Sequence, residues 1–360
     1  MLIPLPGHGP QRSAGQPSHP TAAGRPVWYA LAGALLVGLA QPAAAQVFQD
    51  AALQALYAAE RMADLEAAAQ QRLANRPDDA QAVLGLALAA LAGDDSARRE
   101  AAIRRAESCI KHSAQAAECH YALGVVLGVQ AMSQGMLKMA SSVGTVKAAL
   151  LDALRLAPQW YPARSAVVEF YLQAPGMIGG SSAKAAEAAR GAPQPDQARA
   201  LAARVALDDE QFDAALAGLY AVQAGPLAAL DPALADDVQQ WITAAGFGLL
   251  AKGQAAQAKP VFERMQRDHP TQAAGFYGLG RVQHGLGAPA DAVRSYEQGA
   301  RLKGAAVYPF DYRLGLALQA LGRSEPARAA LTRFVAAGKG QAKTLDDAKK
   351  RLAQLGSPPA

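Results

Sequence analysis

The stretch FYGLGRVQHGLGAPADAVRSYEQGARLKG, from Phe276 to Gly304, contains the pattern that decides the fold. Gly280 lies in an apolar segment with helical spacing, and Gly287 follows seven residues later, where it predicts a turn. Ala292 comes five residues after that turn, and Tyr296 comes four residues after the alanine. This order predicts two antiparallel helices that approach closely at the small residues and end at a glycine.

The same order recurs on both sides of this stretch. It is found in AAGFGLLAKGQAAQAKPVFERMQRDHP (Ala244–Pro270) and in YRLGLALQALGRSEPARAALTRFV (Tyr312–Val335). The three first-helix glycines, Gly246, Gly280 and Gly315, are spaced 280 − 246 = 34 and 315 − 280 = 35 residues apart. A period of this size indicates a repeat of helical hairpins. Weaker matches extend the period backwards, and the expected first-helix positions are Leu53, Ala87, Gly124, Val168 and Ala202.

This pattern resembles the tetratricopeptide repeat (TPR). The resemblance implies an all-α, TPR-like α-solenoid of about eight antiparallel hairpins in a right-handed superhelix, with a concave groove lined by the first helices. The segment APGMIGG (Ala174–Gly180), which follows ECHYALG (Glu118–Gly124), is similar to exported bacterial TPR proteins of undefined role. That similarity implies no activity.

Composition agrees with a helical protein. The chain has 360 residues, of which 51% are hydrophobic, 6% aromatic and 18% charged. The hydrophobic content excludes wholesale disorder, and the scarcity of aromatic residues argues against a β-sandwich or barrel. The net charge of +5 is small for this length, and the basic residues from Arg98 to Lys111 spread around a helix. We therefore expect no nucleic-acid partner.

The N-terminus predicts export. Residues 1–26 contain Arg12 and Arg25 and no acidic residue, and the apolar segment Val27–Ala40 follows them. Fourteen residues are too few to span a membrane but suit a signal peptide. The small residues Ala43–Ala45 predict cleavage after Ala45, with an uncleaved anchor as the alternative. A cleaved leader predicts a periplasmic or secreted protein with no stable membrane insertion.

The period also predicts the organisation of the chain. Residues 1–45 form the signal peptide, and residues 46–222 form N-terminal repeats with a disulfide and a Met-rich insert. The Pro/Asp-rich residues 223–237 interrupt the array, as a hinge or a short helical excursion. Residues 238–340 form C-terminal repeats, and residues 341–360 form a capping helix and tail. In that helix, predicted over Leu345–Leu355 with Thr344 as its cap, Lys349, Lys350 and Arg351 are expected to face water.

The two cysteines, Cys109 and Cys119, fall on either side of a short turn between successive hairpins. Such positions lie within the separation that a disulfide bridges, and an oxidising compartment favours the bond. The alternative is a zinc site, because Cys109, His112, Cys119 and His120 form a C-x2-H-x6-C-H pattern. We expect no metal, since adjacent side chains on a helix point in different directions.

No catalytic motif is recognisable, so we expect no enzyme activity, no catalytic residue and no cofactor. Paired carboxylates such as Asp236–Asp237 are expected to cap helices. A TPR groove suits another protein or an extended peptide. The candidate groove residues are Tyr121, Glu169, Tyr277, Arg281, His284 and Tyr312.

The leading hypothesis is therefore a periplasmic scaffold or adaptor that binds a protein or peptide. The alternative is a small-ligand-binding accessory protein of an envelope transport or assembly system. That alternative requires a closed pocket, to which the methionines Met132, Met136 and Met139, expected on one helical face, and the Gly-rich segment Phe170–Ala185 would both contribute.

Overall fold

The computed structural model describes residues 47–224 and 231–356, so the predicted signal peptide lies outside the described residues. The described residues form seventeen α-helices and two short 3-10 turns, Gly176–Ile178 and Ala305–Val307. The first ten helices are α1 (Ala51–Ala58), α2 (Met62–Asn75), α3 (Ala80–Leu91), α4 (Ser96–His112), α5 (Ala117–Ser133), α6 (Met136–Leu156), α7 (Tyr161–Gln173), α8 (Ser182–Arg190), α9 (Pro195–Asp208) and α10 (Phe212–Gln223). The others are α11 (Pro232–Ala251), α12 (Ala255–Asp268), α13 (Ala273–Gly285), α14 (Pro289–Gly299), α15 (Phe310–Ala320), α16 (Ser324–Ala337) and α17 (Ala342–Gly356). The all-α prediction is confirmed.

The helices pack in sequential pairs, as a repeat of hairpins requires. Each of the eight expected first-helix positions lies on the odd-numbered helix of a pair, from Leu53 on α1 to Gly315 on α15. The prediction of eight hairpins from a period near 34 is therefore confirmed.

The close packing inside a hairpin has the expected cause. Gly287 has a φ of +79°, the left-handed conformation that ends α13. Ala292, at the crossing point, is fully buried. A Cβ atom on Gly246 would lie 2.8 Å from the Phe262 ring, and one on Gly278 would lie 2.1 Å from it. Phe262 therefore fills the space between its own first helix, α11, and the first helix of the next hairpin, α13.

The described chain divides into two compact units, one ending at Trp241 and the other beginning at Ile242. The division falls within α11, just beyond the predicted interruption of residues 223–237. Asp231 caps this helix, because its carboxylate accepts a hydrogen bond from the Leu234 amide at 3.0 Å. The domain bounds predicted from sequence stay predictions.

Two local expectations were wrong. The methionines of the insert do not share one helix, because α5 ends at Ser133 and Gly135, with a φ of +92°, precedes a new helix. Met132 is therefore on α5 and Met139 on α6. The capping helix begins at Ala342, so Thr344 lies inside it, with its amide bonded to the Gln341 carbonyl.

Of the three basic residues of α17 that were expected to face water, two do so. Lys349 and Lys350 are exposed. Arg351 is not, because its guanidinium pairs with Asp347 at 2.7 Å and donates to the Gln319 side chain at 3.0 Å. This arginine joins α17 to α15 instead of facing water.

Candidate functional site

We call the unit that ends at Trp241 the first unit and the unit that begins at Ile242 the second unit. The candidate groove residues of the first unit lie in its interior. Tyr121 and Glu169 are each only 2% exposed. Tyr121 packs against Trp160, with 4.8 Å between the ring centroids, and burial raises its pKa. Glu169 forms an ion pair with Arg204 at 2.6 Å. The role of Tyr121 and Glu169 as ligand contacts stays a prediction.

A buried carboxylate explains why this face is closed. Asp237, in the first part of α11, accepts hydrogen bonds from the hydroxyls of Tyr161 at 2.8 Å and Ser165 at 2.7 Å. Gln197 donates to the Asp231 carboxylate at 3.2 Å. The start of α11 thus lies against the first helices α7 and α9, so the protein's own chain covers them. Asp237 was expected to cap a helix, but the residue that caps α11 is Asp231, six residues earlier.

Burial has a large effect on these two carboxyl groups. Desolvation raises the pKa of Asp237 to about 7, although the two hydroxyl donors act in the opposite direction. Desolvation also raises the pKa of Asp231 to about 6. Both groups therefore change charge near neutral pH, which no local sequence signal indicated.

The second unit presents a different surface at its candidate residues. Tyr277, Arg281 and His284 follow one another at i, i+4 and i+7 on α13. Tyr277 is 3% exposed and stacks on Tyr308, with 4.7 Å between the ring centroids. Arg281 is half-buried, and its guanidinium lies 5.7 Å from the centroid of the Phe247 ring. The guanidinium of Arg281 therefore lies over the Phe247 ring, which itself packs against Tyr277.

A second arginine, which the sequence analysis missed, joins Arg281. Arg313 on α15 is half-buried, and its guanidinium lies 5.6 Å from the centroid of the Tyr312 ring. Burial lowers the pKa of Arg281, and the charge of Arg313 lowers it further. We call Arg281 and Arg313 the arginine pair. The sequence contained one sign of this site, because Arg313 is the only charged residue of the segment RLGLALQAL that follows Tyr312.

The arginine pair has no carboxylate partner among the described residues. Other arginines of this unit are paired, for example Arg333 with Asp311 at 2.6 Å and Arg264 with Asp268 at 3.1 Å. Burial also lowers the pKa of His284, and the charges of Arg313 and Arg351 lower it further. The imidazole of His284 is therefore held in its neutral form and adds no counter-charge to the arginine pair.

Several buried polar atoms here also have no hydrogen-bond partner in the described part of the chain. They are the hydroxyls of Tyr277 and Tyr296 and the Nε atom of Arg313. Native proteins satisfy most buried polar groups. These three atoms are inaccessible to solvent, and the Tyr277 hydroxyl is close enough to the Arg313 guanidinium to raise its pKa. The groups that can donate hydrogen bonds to an anion are therefore the partly exposed guanidinium groups of the arginine pair.

Tyr312 lies at the edge of this site. Its hydroxyl donates to Asp347 at 2.7 Å, and burial, with this neighbouring carboxylate, raises the Tyr312 pKa to about 12. Burial opposes the ionisation of Asp347, but hydrogen bonds from Arg351 and Tyr312 outweigh it and lower the pKa of this carboxyl group. Asp347 is therefore held by two other side chains and does not neutralise the arginine pair.

The two cysteines form the predicted disulfide. Cys109 at the end of α4 and Cys119 at the start of α5 are joined, with 6.0 Å between their Cα atoms. His120 contacts the Ala114 carbonyl at 3.0 Å. Within residues 47–224 and 231–356, no group of three or more His, Cys, Asp or Glu side chains is arranged to hold a metal ion.

The first unit also contains an apolar pocket of about 60 Å³. Its walls come from α5, α6, α7 and the loop that carries the Gly176–Ile178 turn. The lining residues are Gly128, Ala131, Met132, Met139, Val143, Val146, Phe170, Gln173, Ala174 and Ile178. The Met-rich insert and the Gly-rich loop therefore meet at one cavity.

The fold defines the class of the protein. Its described helices pack pairwise in sequence with a period near 34 residues, which is the arrangement of a TPR-like α-solenoid of helical hairpins. No protein-family model matches the sequence, and no curated protein matches it.

Three solved structures are similar at low sequence identity. A TPR protein from Parabacteroides merdae ATCC 43184 is 11% identical over 73% of this chain and 94% of its own, with a TM-score of 0.43. Pseudomonas aeruginosa PilF is 15% identical over 65% of this chain and 98% of its own, with a TM-score of 0.41. The APC/C hetero-tetramer Cut9–Hcn1 is 15% identical over 82% of this chain and 53% of its own, with a TM-score of 0.45. These similarities concern the fold alone.

None of the described helices combines the length and apolar composition needed to cross a membrane.

Proposed function

We propose that this protein is a non-catalytic TPR scaffold or adaptor that binds another protein through an extended segment. The observation that carries the proposal is the arginine pair on the first helices α13 and α15, half-buried and without a carboxylate partner in the described chain. A desolvated cation is unfavourable unless a counter-charge and hydrogen bonds compensate it. A partner carboxylate would supply both.

The surroundings of the arginine pair favour a peptide over a simple ion. Phe247 and Tyr308 are half-buried and provide aromatic surface next to the charges, and the buried Tyr277 packs against both. Aromatic residues and arginine are enriched among the residues that dominate binding at protein interfaces. The expected ligand is therefore an acidic segment or C-terminal carboxylate of a protein, flanked by apolar side chains.

Affinity capture from the native cell envelope tests this proposal. The mature protein is expected to retain a reproducible partner, which Arg281→Ala and Arg313→Ala each lose because the remaining guanidinium cannot form the same contacts. Arg301→Ala is the matched control, since Arg301 is an exposed arginine of the same unit. Binding that survives both substitutions, or loss in the control as well, would contradict the assignment of the site.

We also propose that the protein acts in the periplasm or is secreted. The predicted signal peptide supports this location, and the disulfide between Cys109 and Cys119 is consistent with an oxidising compartment. Intact-mass analysis of the protein from its native cells tests the proposal, with a mature chain beginning at Gln46 as the expected result. A chain that retains the leader would argue against export by this route.

A second function, the binding of a small ligand, is favoured by one observation. Met132, Met139 and Ile178 line the same pocket, although they come from the Met-rich insert and the Gly-rich loop. A scaffold of this kind could serve an envelope transport or assembly system as an accessory protein. Its pocket and the arginine pair lie in different units, so each function is tested without the other.

A further inference from the structure

The start of α11 makes contacts that a regular hairpin of the repeat does not make. In a solenoid, each hairpin contacts its immediate neighbours. The helix α11 opens the sixth hairpin, yet its Asp237 accepts hydrogen bonds from Tyr161 and Ser165 on α7, which opens the fourth. Asp231 accepts one from Gln197 on α9, which opens the fifth. The start of α11 therefore lies across several first helices of the first unit, to which residues 231–241 belong.

Two tyrosines of still earlier hairpins show how far this contact extends. Burial raises the pKa of Tyr57 on α1, and the charges of Asp236 and Asp237 act in the same direction. Burial also raises the pKa of Tyr121 on α5, with a further contribution from Asp237. A carboxylate changes the pKa of another group only when the two lie near each other. We call residues 231–241 the internal segment, and the surface that α1, α5, α7 and α9 present to it the first-unit groove.

The internal segment is enclosed on all its faces. None of its eleven residues is exposed. Leu234, Val238 and Trp241 follow one another at i, i+4 and i+7, and each is at most 2% exposed. Asp237 precedes Val238 and is 5% exposed. An apolar helical face at this spacing, buried against other helices, is the arrangement of an amphipathic helix bound in a groove.

The internal segment leaves part of the hydrogen-bonding capacity of the groove unused. In the described part of the chain, the hydroxyl of Tyr57 and the side-chain oxygen of Gln197 are buried without a hydrogen-bond partner. The indole nitrogen of Trp241, on the segment itself, is in the same situation. Buried polar groups without partners are unfavourable. A different helix that supplied these hydrogen bonds would bind the groove more tightly than the internal segment does.

The carboxyl group of Asp237 makes this contact sensitive to pH. Burial, with the charges of Glu169 and Asp231, raises its pKa to about 7. The charge of Arg204 on α9 is paired with Glu169. The other titratable groups that face Asp237 from α1, α5 and α7 are tyrosines that burial keeps neutral, namely Tyr57, Tyr121 and Tyr161. Because the bound segment has the higher pKa, its hold on the groove is strongest at low pH and weakens as the pH rises towards 7.

We propose that residues 231–241 are an internal ligand of the first-unit groove, and that a partner protein reaches this groove by displacing them with an amphipathic helix of the same chemistry. The partner helix carries apolar side chains at i, i+4 and i+7, as Leu234, Val238 and Trp241 do, and a short polar side chain before the second of them. This inference goes beyond the function proposed for the arginine pair. The arginine pair lies in the second unit, so the failure of either proposal leaves the other intact.

Binding of a synthetic peptide to the full mature protein tests the inference. The probe is a fluorescein-labelled peptide of residues 231–241, followed by fluorescence anisotropy. It should bind the variant Leu234→Ser/Val238→Ser about tenfold or more tighter than the wild type, because that internal segment has lost two apolar anchors and frees the groove. Leu137→Ser, at a leucine of the same unit that is 91% exposed, is the matched control and should bind like the wild type. A peptide with the same two serine substitutions is the control probe and should not bind.

A substitution in the groove shows where the peptide binds. Ser165→Leu, added to the double variant, removes a hydroxyl donor and fills space that the helix occupies. It is expected to weaken the peptide about tenfold or more. Ser141→Leu, at an exposed serine of α6, is the matched control and should leave the affinity unchanged.

The pH dependence gives a separate measure of displacement. A peptide carrying Asp231→Asn and Asp237→Asn has no ionisable group at the two buried positions. Its affinity for the wild type should rise about tenfold between pH 6 and pH 8, since Asp237 of the chain ionises over this range and releases the internal segment. The double variant, whose groove is already free, should change less than about twofold.

Each other outcome overturns the inference. Amide hydrogen exchange of α1 to α10 reports whether the double variant keeps the first unit folded. If these helices stay protected and the peptide binds no more tightly than to the wild type, the groove is not a binding surface. If they lose protection, the internal segment is a permanent part of the fold and not a displaceable ligand. If the wild type sediments as a dimer that the peptide converts to monomers, the occupant is the segment of a second copy, and the assignment to a different partner is wrong.

Discussion

Replacing Asp237 by asparagine removes a buried charge whose effect on stability can be calculated from the structure. The carboxyl group is 5% exposed and lies between the hydroxyls of Tyr161 and Ser165. Its pKa is about 7 in the folded protein, against an ordinary value of 3.8. At about 1.36 kcal/mol per unit, this difference of roughly 3 units means that ionisation destabilises the fold by about 4 kcal/mol.

The sign of the pH dependence follows from the direction of the shift. Because the folded state has the higher pKa, it retains the proton more strongly than the unfolded chain does. The contribution of Asp237 to the free energy of unfolding is therefore largest below the unfolded pKa and is lost as the pH rises towards the folded pKa. About 3 kcal/mol of the total falls between pH 4.5 and pH 7.5.

Urea unfolding of the wild type and Asp237→Asn at these two pH values measures the effect. Tryptophan fluorescence is the appropriate signal, because Trp160 and Trp241 both belong to the unit that contains Asp237. The difference in unfolding free energy between the two proteins should change by about 3 kcal/mol between pH 4.5 and pH 7.5, in favour of the variant at the higher pH. Asp213→Asn, at an exposed aspartate, is the control. A difference that stays constant within about 1 kcal/mol would refute the reasoning.

Three further substitutions test the packing. Cys109→Ser/Cys119→Ser should lower the free energy of unfolding by about 2–3 kcal/mol, because the bond closes a short loop in the unfolded chain; two free thiols in the non-reduced native protein would contradict the bond itself. Gly278→Ala should lower the melting temperature and destabilise the second unit by about 1–3 kcal/mol, because its Cβ would lie 2.1 Å from a phenylalanine ring. A melting temperature equal to that of the wild type would show that the ring moves freely. Glu169→Gln should destabilise the first unit by about 1.5–3 kcal/mol in urea unfolding, because it removes the nearer counter-charge of the buried Arg204 guanidinium and leaves only Asp208 at 3.5 Å; a loss below about 1 kcal/mol would mean that water reaches the arginine.

The sequence alone predicted the repeat because the signals of a helical hairpin are local. A turn glycine, a small residue at the crossing and a bulky residue four positions later are set by helix geometry within one hairpin, as Gly287, Ala292 and Tyr296 show. The same regularity placed Cys109 and Cys119 close enough to bond. Where the hairpin departs from the period, as at Gly135, the sequence pattern predicted the wrong helix for Met132 and Met139.

The candidate sites needed the tertiary structure because their members come from helices that are distant in sequence. Arg313 is 32 residues from Arg281 (313 − 281), and only the packing of α15 beside α13 brings the two charges together. Asp237 acquires its raised pKa from burial against residues more than 70 positions earlier in the chain, although the hydroxyls of Tyr161 and Ser165 there act in the opposite direction. Residue type and helical spacing thus determine which side chains share a face, whereas burial and the absence of a counter-charge depend on what the fold places opposite them.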